Sequence, residues 1–202
     1  MRLQTILLSL VFFCAAPALA ATATPAAPSN WTIVRDASTL GFEGVQMGAP
    51  FQGHFSSFDG IIAFDPDNLP ASKADITIET GSVDAGSDDR NKSLPSKDWF
   101  NTDSFPEAHF VTRSITMGLD QNQYVARGDL TIRNVTLPIT LPFTLVITKS
   151  DSGESFAKMN GEAVINRLDY GVGQGEWTDT KSVENQVKIK VSLTAKSKQG
   201  TK

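Results

Sequence analysis

A chain of 202 residues, 40% apolar and 20% charged, is long enough to bury one sizeable core and short enough to need only one domain. Eighteen basic residues against 22 acidic ones leave a net charge of −4, and no basic stripe runs through them, which argues against nucleic acid as a partner and against a basic helix lying on a membrane. The single cysteine, Cys14, lies so near the start that neither a disulfide framework nor thiol chemistry organises the fold.

The first twenty residues read as a secretory signal peptide. Arg2 is a minimal positive segment, Leu3 to Ala18 is an apolar run too short for a comfortable membrane span, and Ala18-Leu19-Ala20 is a small-residue cleavage site. Cleavage near Ala20 removes Cys14 and sends the mature chain to the periplasm or the medium. Val11-Phe12-Phe13-Cys14 does not resemble a lipoprotein cleavage box, so no lipid anchor is expected. Residues 21–29 (ATATPAAPS) read as a disordered leader.

From residue 30 the chain reads as β. Trp31 to Asp36 is a first strand, and Leu40 and Phe42 mark a second. Phe51, Gly53 and Phe55 share one parity, while Phe58, Ile62 and Phe64 share the other, so a bulge or sharp bend is expected between Ser56 and Asp59. Asp65-Pro66-Asp67-Asn68 is a turn, and residues 74–80 alternate with Ile76 and Ile78 inward.

The stretch 87–110 breaks the pattern. Ser87 suits a helix cap with Asp88 and Asp89 in the first turn, and Pro95 ends that helix. A second short turn holds Trp99 and Phe100, turned inward as a plug, and a strand restarts near Ala108. Within it Val111, Ile115 and Met117 fall on one face, and Phe110 and Thr112 on the other. Tyr124, Ala126, Gly128, Leu130 and Ile132 alternate next, and Asn134 is the expected left-handed turn residue.

Leu137 to Ile147 is the longest clean alternation; Pro138 and Pro142 on its polar parity suggest an edge or a strongly bent strand. Met159, Gly161, Ala163 and Ile165 line one side of the next strand. After the glycine-rich 169–175 segment, Val183, Val187, Ile189, Val191 and Leu193 close the domain near residue 196, leaving 197–202 as a solvated tail.

About eight long antiparallel strands in one domain fit an up-and-down barrel or a sandwich. An eight-stranded barrel is just wide enough for one small ligand. Phe42, Phe55, Phe64 and Phe143 fall on the inner parities, with Trp99 and Phe100 over one mouth. Periodicity fits a packed core as well as an apolar tunnel.

Four stretches carry a resemblance: FQGHFSSFDGIIAFDPDNL (51–69), ITIETGSVDAGSDDRNKSL (76–94), KDWFNTDSFPEAHFVT (97–112) and GDLTIRNVTLPITLPFTL (128–145). In their order and spacing the chain resembles the YceI-like family of exported, lipocalin-like proteins over essentially the whole mature domain. The resemblance implies an all-β, eight-stranded antiparallel lipocalin-like barrel with a short helical insert. It also implies an apolar tunnel for a polyisoprenoid or similar long-chain lipid, with a role in lipid carriage, sequestration or envelope stress. On that implication the lining comprises Phe42, Phe55, Phe64, Ile76, Ile78, Trp99, Phe100, Phe110, Leu130, Phe143, Leu145 and Ile165, and Arg113 or Arg167 is the candidate for a headgroup. The first hairpin carries Asp36-Ala37-Ser38-Thr39 where many members carry histidines.

No cofactor or metal is expected, no integral membrane span, and a monomer or homodimer. The two histidines, His54 and His109, have no metal-ligand spacing, and Asp84, Asp88 and Asp89 miss the pattern of a calcium loop. Gly171-Val172-Gly173-Gln174-Gly175 lacks the parallel βαβ context of a dinucleotide loop. Two other functions remain open from sequence. One is a hydrolase or isomerase acting on a lipid, using His109 with Glu107 or Arg113; the other is a protein-interaction module whose barrel is merely packed.

Overall fold

Alternating sequences must bury one face and pair both edges, and the chain does so by closing on itself. The computed structural model describes residues 27–151 and 153–198. The expected signal peptide, residues 21–26 of the expected leader and residues 199–202 lie outside the described residues.

Eleven strand segments are present among the described residues: β1 (Ser29–Ile33), β2 (Thr39–Gln46), β3 (Ala49–Phe55), β4 (Phe58–Phe64), β5 (Lys73–Glu79), β6 (Val83–Asp84), β7 (Glu107–Met117), β8 (Gln123–Ile132), β9 (Val135–Lys149), β10 (Glu154–Asn166) and β11 (Gln186–Lys198). All pairings are antiparallel. The sheet order is β1-β4-β5-β7-β8-β9-β10-β11, and β1 also pairs with β11, which closes the ring at eight strands. The remaining segments are continuations. A 3-10 turn at Arg35–Ala37 separates β1 from β2, a bend at Ser56 and Ser57 separates β3 from β4, and a 3-10 turn at Thr80–Ser82 separates β5 from β6. The halves stay in register, with β1 against β4 and β2 against β3. The fold is thus an all-β, closed eight-stranded barrel with one short α-helix, α1 (Asp88–Ser93).

The bend at Ser56 and Ser57 is where the parity of the aromatic residues slips, so Phe55 and Phe58 both reach the interior. Ser57 N–H donates to Ser82 Oγ (3.1 Å) and Ser56 N–H to Ser82 O, tying the two breaks together. In α1, Ser87 Oγ accepts from Arg90 N–H, the capping expected of it.

Four local expectations change. A register shift between Thr112 and Ser114 flips the parity of β7, so Phe110, Thr112 and Ile115 all line the interior while Val111 stands 43% exposed. In the β8–β9 turn it is Arg133, not Asn134, that takes the left-handed conformation, with φ 56°. There the Arg133 guanidinium donates to Gly171 O and lies over the Phe105 ring, tertiary contacts that fix the turn. At the ends, β1 already begins at Ser29 and β11 runs on to Lys198, with Ser197 buried, so the barrel takes in residues expected in the leader and tail.

The two prolines of β9 stand on an edge. β9 pairs with β8 from Val135 to Thr144, but with β10 only from Phe143 onward, where it meets Gly161. The Pro142 carbonyl faces Gly161, standing 2.9 Å from where a Cβ would be. Residues of that parity therefore direct their backbone groups toward β10, and Pro138 and Pro142 have no N–H to give. The β9–β10 ladder stops where the donors run out.

Candidate functional site

The interior is a cavity of about 270 Å³ walled by every strand of the ring. All twelve residues expected to line it do so: Phe42, Phe55, Phe64, Ile76, Ile78, Trp99, Phe100, Phe110, Leu130, Phe143, Leu145 and Ile165. The strands supply most of them by alternation; Trp99 and Phe100 come from the turn after α1. The aromatic residues form two groups, each within its own part of the core. Phe42 meets Phe51 and Phe55, and Phe55 meets Phe100 edge-on at 5.6 Å. In the second group Tyr124 stacks on Phe143 and meets Phe64 edge-on, both at 5.4 Å.

Polar groups are nearly absent from the wall. Apart from the indoles of Trp31 and Trp99, only Thr112, Arg167 and Glu184 have polar side chains among the lining residues. Thr112 Oγ1 accepts from Ala74 N–H (2.8 Å) and donates to Ala74 O. Glu184 is itself exposed and contributes its carbonyl.

Arg167 is the chemical centre of the insert end. It continues the inward parity of Ala163 and Ile165 and is only 3% exposed. Nε donates to Glu184 O (3.0 Å), Nη1 to Val172 O (2.9 Å) and Gly173 O (3.2 Å), and Nη2 to Trp177 O (2.6 Å) and Val183 O (2.7 Å). The planar fork is thus spent on backbone carbonyls, and it ties the loop 167–184 across the barrel end. Burial pushes the Arg167 pKa down from its ordinary value. Gly173 is held at φ 85°, and a Cβ there would sit 2.0 Å from Arg167 Nη1, so only glycine fits beside the guanidinium.

This assigns Arg167 to closing the barrel, with no donor left for a headgroup. Arg113 is on the outer surface, 65% exposed, with Nε 2.6 Å from Asp129 Oδ2, and it does not line the cavity. Neither arginine is placed to meet a ligand's polar end inside.

His109 is likewise outside the lining. Its Nδ1 lies 3.2 Å from Thr77 Oγ1 and its Nε2 3.4 Å from Glu107 Oε2, with both His109 and Glu107 about half exposed on the outer face. Among the described residues no group of three or more His, Cys, Asp and Glu could hold a metal ion, and no helix is long and apolar enough to cross a membrane.

The floor built by Tyr170, Val172, Val183 and Arg167 escapes sequence reasoning, because the loop 167–184 has no period. The one available signal was parity: Arg167 follows Ala163 and Ile165 at spacing two.

Comparison with known proteins agrees with this architecture. The model of the YceI-like domain matches residues 31–195. Protein YceI of Shigella flexneri is 34% identical over 142 residues, covering 70% of this chain and 71% of that one. Among solved structures, Burkholderia cenocepacia BcnA is 31% identical, with TM-score 0.71 over 80% of this chain and 98% of that chain. A Saccharophagus degradans domain, described as polyisoprenoid-binding and implicated in plant cell wall breakdown, is 16% identical; it shares the fold at TM-score 0.61 over 83% of this chain and 98% of that one. The barrel, the insert and the match across residues 31–195 together establish that the chain belongs to the YceI-like family.

Proposed function

We propose that the protein is an exported binding protein that holds a polyisoprenoid or similar long-chain lipid in its barrel and performs no catalysis on it. The observation that carries this reading is the cavity wall: aromatic and aliphatic on all sides, with its threonine and arginine already satisfied and its glutamate turned outward. Such a wall recognises an apolar chain and little else. A protein described as polyisoprenoid-binding shares the fold, which supports the same class of ligand. The histidines stand outside the lining, which favours binding over acid–base chemistry on a bound lipid. The apolar run ending at Ala18-Leu19-Ala20 supports export.

Size sets a condition. At ~30 Å³ per water-sized group, 270 Å³ holds about nine methylene-sized groups at rest. Nine methylenes contribute about 7 kcal/mol, comparable with the roughly 4–15 kcal/mol that association costs. Useful affinity therefore needs a longer chain and some opening of the tunnel. Phe42, Phe55 and Phe100 are only half-buried and are the rings positioned to move.

Titration with prenols of increasing length tests this. Affinity is expected to rise with chain length beyond about ten carbons. Ile78→Trp or Ala163→Phe, which fill the lumen, are expected to weaken binding by about tenfold or more while unfolding stays cooperative. Binding that is independent of length, or untouched by both lumen variants, places any ligand elsewhere.

A further inference from the structure

Two tryptophans line the cavity deep in the fold, and their indole nitrogens differ. Trp31 Nε1 donates to Phe64 O at 3.0 Å. Trp99 Nε1 is buried and has no acceptor among the described residues. Trp99 is 91% buried, its relative exposure being 9%. Its ring packs against half-buried Trp177 at 5.5 Å, and the Arg167 guanidinium lies over it at 5.5 Å. A buried N–H without a partner is rare and unfavourable, because water's hydrogen bond is lost and nothing replaces it. Here it belongs to a residue of the cavity wall whose other polar side chains are satisfied or point to solvent, and the nitrogen itself is closed off from the resting cavity.

We propose that Trp99 donates this hydrogen bond to the ligand, and that the ligand carries a neutral acceptor oxygen (carbonyl, ether or hydroxyl) at the end of its chain that reaches the insert. The inference rests on the lipid-binding reading and adds to it the polar chemistry and the orientation. A chain too long for the resting cavity must displace a flanking ring. Trp177 is tilted against the indole and only half-buried; on this proposal it is the ring that moves aside to let the ligand oxygen reach the nitrogen.

The acceptor is neutral for two reasons. A single indole N–H satisfies one oxygen, whereas a phosphate or pyrophosphate brings several acceptors and a charge into a dry site. The neighbouring guanidinium has given its donors to five backbone carbonyls, so it has none left to bind an anion directly.

The test uses three probes with one fifteen-carbon chain: farnesol, farnesene and farnesyl pyrophosphate. Each is titrated into the mature wild-type protein and into Trp99→Phe, which keeps an aromatic ring and removes the donor. Trp99→Phe is expected to weaken farnesol about tenfold, equivalent to about 1.4 kcal/mol, and to leave farnesene within twofold. Farnesyl pyrophosphate is expected to bind wild type more weakly than farnesol.

A second readout does not depend on the variant. The wild-type indole N–H resonance of Trp99, assigned by its connectivity to the backbone, is expected to move downfield with farnesol and not with farnesene. Equal losses for farnesol and farnesene in Trp99→Phe, or an indole resonance that farnesol leaves in place, overturn the inference while the lipid-binding reading stands. Failure of wild type to bind either neutral probe overturns both.

Discussion

Arg167 shows how one side chain can organise a barrel end. A guanidinium without a carboxylate partner is costly to bury, and five carbonyl acceptors offset that cost only in the planar geometry that arginine provides. Lysine keeps the charge but has three donors on a single nitrogen. Arg167→Lys is therefore expected to lower unfolding stability by about 3 kcal/mol, measured by urea denaturation, although a basic residue is retained. A loss under about 1 kcal/mol would mean that loop 167–184 holds itself closed without the fork. Tyr170, in the same loop and 2% exposed, makes a pH prediction. Burial, with the nearby Asp169 charge adding to it, pushes its hydroxyl pKa up from 10 to about 12. The folded state thus favours the neutral phenol, its contribution is complete below pH 10, and it is lost as pH rises from about 10 through 12. The loss is about 3 kcal/mol, from two units at about 1.36 kcal/mol each. Tyr170→Phe is expected to flatten the decline across that window relative to wild type in paired denaturation curves; superimposable declines would count against it.

At the scale of elements, the breaks matter as much as the strands. The β9–β10 ladder ends at Phe143 and Gly161 because the next residue facing β10 is a proline. Pro142→Thr restores the N–H, and the restored amide is expected to exchange with solvent as slowly as that of Thr144. Fast exchange of the restored amide would mean that the two backbones diverge for another reason. Which breaks were legible depended on whether they left a periodic trace. The bend at Ser56 and Ser57 was visible because aromatic residues change parity across it. The shift beside Arg113 was not, because Thr112, Arg113 and Ser114 are all polar and nothing marks which one is extra. In the β8–β9 turn local propensity favoured Asn134, but Arg133 is anchored to Gly171, 38 residues away, and to the Phe105 ring, contacts that no local rule contains.

For the whole molecule, the ring of eight strands and the ten lining positions on strands followed from period-two alternation and the family resemblance, since a closed barrel turns every inward parity toward one lumen, while Trp99 and Phe100 come from the insert. Alternation could not separate a packed core from a cavity, because both need the same residues; only the three-dimensional wall gives 270 Å³ of space. Nor could it find the floor, built from a loop around one arginine. Whether this space is a lipid site is decided by native mass spectrometry of the mature protein isolated from its own cells, before and after addition of a long-chain prenol, with the bound species extracted and identified. A one-to-one complex with a long-chain isoprenoid is expected, either carried through purification or formed on addition, and lost in Ile78→Trp. A protein that runs as the bare chain in both samples would refute the lipid site and leave the outer surface of the barrel as the working part.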